Sequence, residues 1–109
     1  MGTDSKAELK VEGGKLVKVR LRLKDGRIDK IEITGDFFAF PEDLIEGIER
    51  GLIGLKPRQK RIIDTIRGTV RRDGGGILGV KPEHIARAIL DASKRDHATN
   101  QPMRAPRTI

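Results

Sequence analysis

Residues 15–41 read KLVKVRLRLKDGRIDKIEITGDFFAFP, and this stretch decides the fold. Its first part alternates apolar and basic side chains at every second position: Val17, Val19, Leu21 and Leu23 against Lys18, Arg20, Arg22 and Lys24. This period of two predicts a strand with one buried face. Asp25 and Gly26 follow, a pair that accepts the positive φ angles of a tight turn. Residues 27–34 then supply a returning strand, so the stretch predicts a β-hairpin.

A third strand precedes the hairpin. Residues 7–12 read AELKVE, with Leu9 and Val11 on one side, and Gly13-Gly14 is a turn signal that folds this strand back onto the next one. The result is a three-stranded antiparallel meander with one apolar and one basic face. Such a sheet needs a layer of helices over its apolar face.

Apolar side chains at helical spacing predict three helices after the sheet, over residues 41–52, 57–70 and 82–94, each beginning at a proline. Gly47 and Gly51 weaken the first helix unless a neighbouring backbone packs close to them. Residues 71–76 are expected to form a flexible loop. The predicted fold class is therefore α+β, a βββ meander followed by three helices packed on one face.

The chain of 109 residues is long enough for one domain, which we place at residues 7–96, between a frayed start (1–6) and a mobile basic tail (97–109). It has no Cys, Trp or Tyr, so the core must be aliphatic. Charged residues make up 36% of the sequence, which is compatible with a thermophilic source. No apolar run is long enough to span a membrane, and a cytoplasmic location is expected.

No catalytic constellation is visible in the sequence. Residues 74–79 formally match G-x-G-x-x-G, but a basic helix precedes them where a dinucleotide site needs a strand, so a loop is the better interpretation. His84 and His97 lack metal-ligand spacing and are expected to be surface side chains. These absences favour a binding or accessory role over catalysis.

Charge is concentrated in the second helix. Residues 56–72 carry seven basic residues against Asp64 alone, and the whole chain has a net charge of +7. Lys60, Arg61 and Arg67 are therefore candidate contacts for either a nucleic acid or an acidic protein surface. The outer sheet face is also basic, but it lacks the aromatic side chains that stack on bases, so we interpret it as a solvated face.

The corner between the sheet and the first helix, Gly35-Asp36-Phe37-Phe38, is the most suggestive candidate for a binding site. It holds two of the three phenylalanines of the chain. Both rings could seal the core where the helix meets the sheet. Alternatively, one ring seals the core while the other docks on a partner.

The corner also carries a resemblance to a known family. A strand ending in T-G-D-F-F at residues 34–38, the link P-E-D at 41–43, and the helix end I-E-R-G-L-I-G at 48–54 together resemble the C-terminal accessory domain of lipoate-protein ligases. Residues 79–83, G-V-K-P-E, also look similar. The resemblance spans about residues 7–95, and the chain is similar to the form in which this domain is a separate small subunit.

The resemblance implies a non-catalytic partner in a heterodimer. In this family the catalytic subunit holds lipoate, ATP and Mg, makes lipoyl-adenylate, and transfers lipoate to a lysine of an acceptor domain. This chain would bind no cofactor or metal itself and would meet the lipoyl acceptor domain only indirectly. The competing interpretations are a small basic nucleic-acid-binding module, which would bind in a salt-dependent way, and a stand-alone enzyme, for which no residues are visible.

Overall fold

The structure is a computed structural model that describes residues 4–13 and 15–100, with side chains described as far as residue 95. Its elements, in chain order, are β1 (Ser5–Val11), β2 (Lys15–Lys24), β3 (Arg27–Gly35), β4 (Phe38–Phe40), α1 (Leu44–Leu52), α2 (Gln59–Asp73), β5 (Gly76–Leu78) and α3 (Pro82–Asn100). The strands form a three-stranded sheet, β1-β2-β3, and a separate two-stranded ribbon, β4-β5.

The predicted meander is confirmed. Strand β2 lies in the centre and pairs antiparallel with both neighbours. Asp25 and Gly26 adopt φ angles of 55° and 77°, as the tight turn requires. The register shifts after Arg22, which faces Lys30, whereas the next residue faces Ile28. One extra residue of β3 therefore forms a bulge next to the turn.

The three helices form a layer over the apolar face of the sheet. Helix α3 packs on β1 and β2, α1 packs on β3, and α2 packs against α1 and α3. Between these layers lies an aliphatic core, whose largest fully buried side chains are Leu21, Ile28, Leu44, Ile48, Leu52, Ile62, Ile66, Ile85 and Ile89. The α+β fold class and the aliphatic core are thus as the sequence predicts.

Close packing of α1 against α2 explains the two glycines in α1. A Cβ atom added at Gly51 would lie 3.1 Å from the Thr65 methyl group, and one added at Gly47 would lie 3.5 Å from that of Thr69. A close neighbour is therefore present, as expected for these glycines, but it consists of the side chains of two threonines one helical turn apart and not of a backbone.

The free edge of β3 is covered by polar contacts from α1 and the loop that follows it. The N–H of Ile28 donates to the carbonyl of Leu55, and the carbonyl of Ile28 accepts from the N–H of Gly54. Further along, the N–H of Ile33 donates to Oε2 of Glu49 at 2.8 Å. These contacts leave less of the edge open to association with another strand.

The expectation of a flexible loop at residues 71–76 is wrong. Helix α2 continues to Asp73 and ends on Gly74, whose N–H donates to the Arg71 carbonyl and whose left-handed conformation lets the N–H of Gly75 donate to the Val70 carbonyl. Gly76 already belongs to β5, which pairs with β4. The glycines that predict a loop instead terminate a helix and start a strand.

Element ends also differ from the predictions. Helix α1 begins at Leu44 and not at Pro41, α2 begins at Gln59, and α3 runs to Asn100 and not to Lys94. Strand β1 begins at Ser5, within the stretch expected to be frayed. Lys6, the second residue of β1, is tied to α3, because its carbonyl accepts a hydrogen bond from Nη1 of Arg95. The backbone of 97–100 belongs to α3, and the rest of the predicted tail, 101–109, lies outside the described residues, as do residues 1–3.

Candidate functional site

The ribbon β4-β5 presents an apolar face to solvent. Phe38 lies opposite Leu78 and Phe40 lies opposite Gly76. Directly opposed residues, and residues two apart in a strand, share one side of a ribbon. Phe38 is 68% exposed, Leu78 57% and Phe40 44%. We call these three side chains the ribbon face.

The opposite side of the ribbon faces inward. Ala39 and Ile77, which pair across the two strands, pack against the hydrophobic core. The ribbon is therefore anchored on one side and free on the other. Of the four large hydrophobic side chains that are exposed in the described part of the chain, three lie on the ribbon face, and Ile53 at the end of α1 is the fourth. Such a concentration of exposed apolar side chains is typical of surfaces that contact another molecule.

Two glycines allow the ribbon to form. A Cβ atom at Gly76 would lie 2.8 Å from the Phe40 ring, and one at Gly75 would lie 2.1 Å from the Phe40 carbonyl oxygen. Real Cβ atoms do not approach other atoms so closely. The Phe40 ring therefore packs against Gly76 and the Phe40 carbonyl packs against Gly75, both at positions where only a glycine fits.

The corner that the sequence singles out divides into a buried and an exposed part. Phe37 is half-buried and packs against the core, whereas Phe38 is exposed. Gly35 lies beneath the Phe37 ring, with no space for a Cβ atom between that ring and the Leu16 carbonyl. The N–H of Asp36 donates to the same carbonyl at 2.8 Å. Of the two alternatives, the geometry therefore matches the one in which a single Phe seals the core; that the other docks on a partner stays a prediction.

The predicted basic contacts lie on α2 but not all in one place. Arg67 forms an ion pair with Glu83 of α3, and Lys60 pairs with Asp64 at 3.0 Å within α2. Arg61 is exposed. Arg67 lies seven positions after Lys60, which corresponds to about 10 Å along the helix axis.

Of the three predicted basic contacts, Arg67 is the one that lies near the ribbon. An open groove with a volume of about 350 Å³ runs behind β5 and is lined by Arg67, Val70, Arg71, Ile77 and Pro82. Ile77 belongs to the ribbon, so this groove joins the basic face of α2 to the β4-β5 corner. Lys60 and Arg61 lie nearer the N-terminal end of α2.

Phe40 and Leu78 are the site residues that the sequence interpretation missed. The signal for Phe40 was its position two residues after Phe38, the spacing of side chains on one face of a strand. Leu78 had no comparable signal, because it lies in a run of glycines far away in the sequence.

Glu49 is the titratable group with a perturbed environment. Burial raises the pKa of its carboxyl above the ordinary value, although the hydrogen bond from the Ile33 N–H opposes this shift; the nearby charges of Glu32 and Glu46 raise the pKa further. Its contact with a strand edge indicates a structural role.

The two histidines and the carboxylates are the remaining candidates for a metal site. Within 4–13 and 15–95, where side chains are described, no three His, Asp or Glu side chains are grouped as a metal site would require. The Nδ1 atom of His84 accepts a hydrogen bond from the Lys81 N–H at 2.9 Å and so stabilises the start of α3. The side chain of His97 lies outside the described residues. None of the described helices is long and apolar enough to cross a membrane.

Comparisons with known proteins agree with this architecture. The model of the family described as "Bacterial lipoate protein ligase C-terminus" matches residues 3–89. A curated relative, "Lipoate-protein ligase A subunit 2" of Thermoplasma acidophilum, is 40% identical over 76 residues, which cover 68% of this chain and 76% of the relative.

A solved structure is also similar. It is a chain from a structural analysis of an archaeal lipoylation system, described as a bi-partite lipoate protein ligase and its E2 lipoyl domain from Thermoplasma acidophilum. The TM-score is 0.63 at 36% identity, and the match covers 82% of this chain and 94% of that one. The organism fits the thermophilic source that the composition suggests. The match of the family model to most of the chain, together with these two relatives, shows that the chain belongs to the lipoate-protein ligase C-terminal family.

Proposed function

We propose that this chain is the accessory subunit of a two-component lipoate-protein ligase and docks on the catalytic subunit through its ribbon face. The observation that carries the docking proposal is the solvent-exposed apolar face formed by Phe38, Phe40 and Leu78. The relatives support the rest, because one is named as a second ligase subunit and the other comes from a bi-partite ligase.

The chemistry is assigned to the catalytic subunit. Lipoate, ATP and Mg bind there, lipoyl-adenylate forms there, and lipoate passes from there to a lysine of the acceptor domain. The described part of this chain contributes a surface and no reacting group. It contacts the acceptor domain only through the complex.

Docking promotes activation through differential contacts. Formation of a mixed anhydride requires ordered loops around ATP and exclusion of water from the reactive product. A subunit that binds the closed state of the catalytic subunit more tightly than the open state shifts the population towards the closed state. The ribbon face suits this role because its backbone is held by two packed strands and by the Gly75 and Gly76 contacts. Little conformational freedom is therefore lost on binding.

The basic side of α2 provides the secondary contacts. Arg67 and the groove beside it adjoin the ribbon, and they fit an acidic segment of the catalytic subunit next to the docked aromatic side chains. Lys60 and Arg61 lie nearer the N-terminal end of α2, away from the ribbon, and influence the association rate more than the affinity, as expected for charges at the rim of an interface.

Association and activity with the catalytic subunit test the proposal. The two purified proteins should sediment as a 1:1 complex, and together they should lipoylate the acceptor lysine, whereas neither does so alone. Absence of a complex, or full lipoylation by the catalytic subunit alone, contradicts the proposal. Salt-dependent binding of DNA or RNA by this chain, in place of complex formation, would favour the nucleic-acid-binding interpretation.

A further inference from the structure

A second feature lies away from the ribbon, where β3, the loop between α1 and α2, and the first turn of α2 meet. Four basic side chains surround one small cavity there. It has a volume of about 230 Å³ and is lined by Arg27, Leu55, Lys56, Arg58 and Arg61. No acidic side chain lines it, and the first turn of α2 contains none.

The positive charge of this cavity is not neutralised within the described residues. Some basic side chains elsewhere in the described residues form ion pairs, such as Arg22 with Asp29 and Arg67 with Glu83, whereas others, such as Lys18 and Lys30 on the outer sheet face, form none. In the described part of the chain, Lys56, Arg58 and Arg61 form no ion pair. All four side chains are exposed, so solvent screens much of their mutual repulsion, and an anion bound among them would remove the remainder.

The walls of the cavity are held in place by the backbone. The N–H of Ile28 donates to the Leu55 carbonyl at 2.9 Å, and the N–H of Gly54 donates to the Ile28 carbonyl at 2.7 Å. Nη1 of Arg27 donates to the Gly54 carbonyl at 3.1 Å, which fixes that guanidinium and leaves its other N–H groups available. The cations are thus brought together by fixed segments of chain.

We propose that this cavity is a binding site for a phosphate-bearing anion. Three guanidinium groups supply planar pairs of N–H donors, which match two oxygens of a phosphate, and Lys56 adds a compact charge. A phosphate group with two or more negative charges satisfies several of these donors at once. The concave shape suits a compact anion, which can be surrounded, better than a flat acidic protein surface.

The shared chemistry is the phosphoryl oxyanion, and its source is either an inorganic phosphate or the phosphates of a nucleotide. The proposal is independent of the docking function, because binding is measured on this chain alone. Failure of either proposal leaves the other intact.

Calorimetric titration of the full chain with inorganic pyrophosphate, orthophosphate, ATP and adenosine at low ionic strength tests the site. We expect pyrophosphate and ATP to bind more tightly than orthophosphate, and adenosine not to bind. Stronger binding of ATP than of pyrophosphate assigns the site to a nucleotide, and equal or weaker binding of ATP assigns it to the inorganic anion.

The test variant is Arg58→Gln combined with Arg61→Gln, and the control is Lys18→Gln combined with Lys30→Gln on the outer sheet face, which removes the same charge. We expect at least a tenfold weaker affinity for pyrophosphate in the test variant and less than a twofold change in the control. Pyrophosphate should also raise the melting temperature of the unmodified chain and of the control, but not of the test variant.

A third measurement requires no substitution. Pyrophosphate should shift the backbone amide resonances of Leu55, Lys56 and Arg58 in the unmodified chain more than those of the outer sheet face. The proposal would be overturned if pyrophosphate did not bind, or if both variants lost affinity equally. It would also be overturned if adenosine bound as tightly as ATP, or if polyglutamate, an acidic polypeptide, bound more tightly than pyrophosphate.

Discussion

Replacing Phe38 by alanine tests the docking surface at its most exposed point. Complete burial of a Phe side chain contributes about 1.5–3 kcal/mol. Phe38 is 68% exposed, so about two thirds of that contribution is still available for binding. Phe38→Ala should therefore weaken association with the catalytic subunit by about 1–2 kcal/mol, or about 5- to 30-fold in Kd. Because the ring does not belong to the core, the free energy of unfolding of the isolated chain should change little.

The assay is calorimetric titration of the catalytic subunit with the wild-type chain and with each variant. Ile53→Ala is the matched control, because Ile53 is also apolar and 46% exposed, but it lies at the opposite end of α1 from the ribbon. The control should bind like the wild type. Urea unfolding of each isolated chain verifies that the variants are equally stable.

An unchanged Kd for Phe38→Ala would refute the argument from exposed area. The same conclusion follows if Ile53→Ala weakens binding more than Phe38→Ala does. In that case the interface lies near the end of α1 and the ribbon face has another role.

Three further predictions concern stability and the ribbon. Gly68→Ala should stabilise the chain by about 1 kcal/mol in urea unfolding, because a Cβ atom there meets nothing within 4 Å in the interior of a helix, whereas Gly51→Ala should give no such gain because α2 packs too close. For Glu49, the raised pKa means that the folded state favours the neutral carboxyl, so its contribution to stability falls as pH rises through the folded-state pKa. Glu49→Gln should therefore be at least as stable as the wild type at pH 7, with the difference closing in acid, while Glu49→Ala should lose about 1–2 kcal/mol because the Ile33 N–H loses its partner. Gly76→Ala should displace the aromatic ring above it and weaken binding to the catalytic subunit without unfolding the chain, as circular dichroism can verify.

The main sheet could be predicted because its signals are local. The alternation through β2 and the Asp25-Gly26 turn lie within a single hairpin, and the structure confirms both. The helices were equally accessible from apolar spacing. Their ends were less so, because side chains and backbone groups from distant elements determine where a helix begins and ends.

The ribbon could not be predicted in the same way. Strands of three residues are too short to show a period, and β4 and β5 are separated by two helices in the sequence. The glycines before and within β5 indicated a loop, because the steric role of Gly76, space for the Phe40 ring, exists only once the strands are paired. The importance of the Phe37–Phe38 corner was visible in the sequence, but not which ring faces solvent.

The most direct test of the central claim is pyrophosphate release during lipoate activation by the catalytic subunit, measured without this chain, with the wild-type chain and with Phe38→Ala. We expect the rate to depend strongly on the wild-type chain. The variant should reach the same maximal rate only at higher concentration, while Ile53→Ala behaves like the wild type. A rate that is the same with and without the chain would contradict an accessory role in activation.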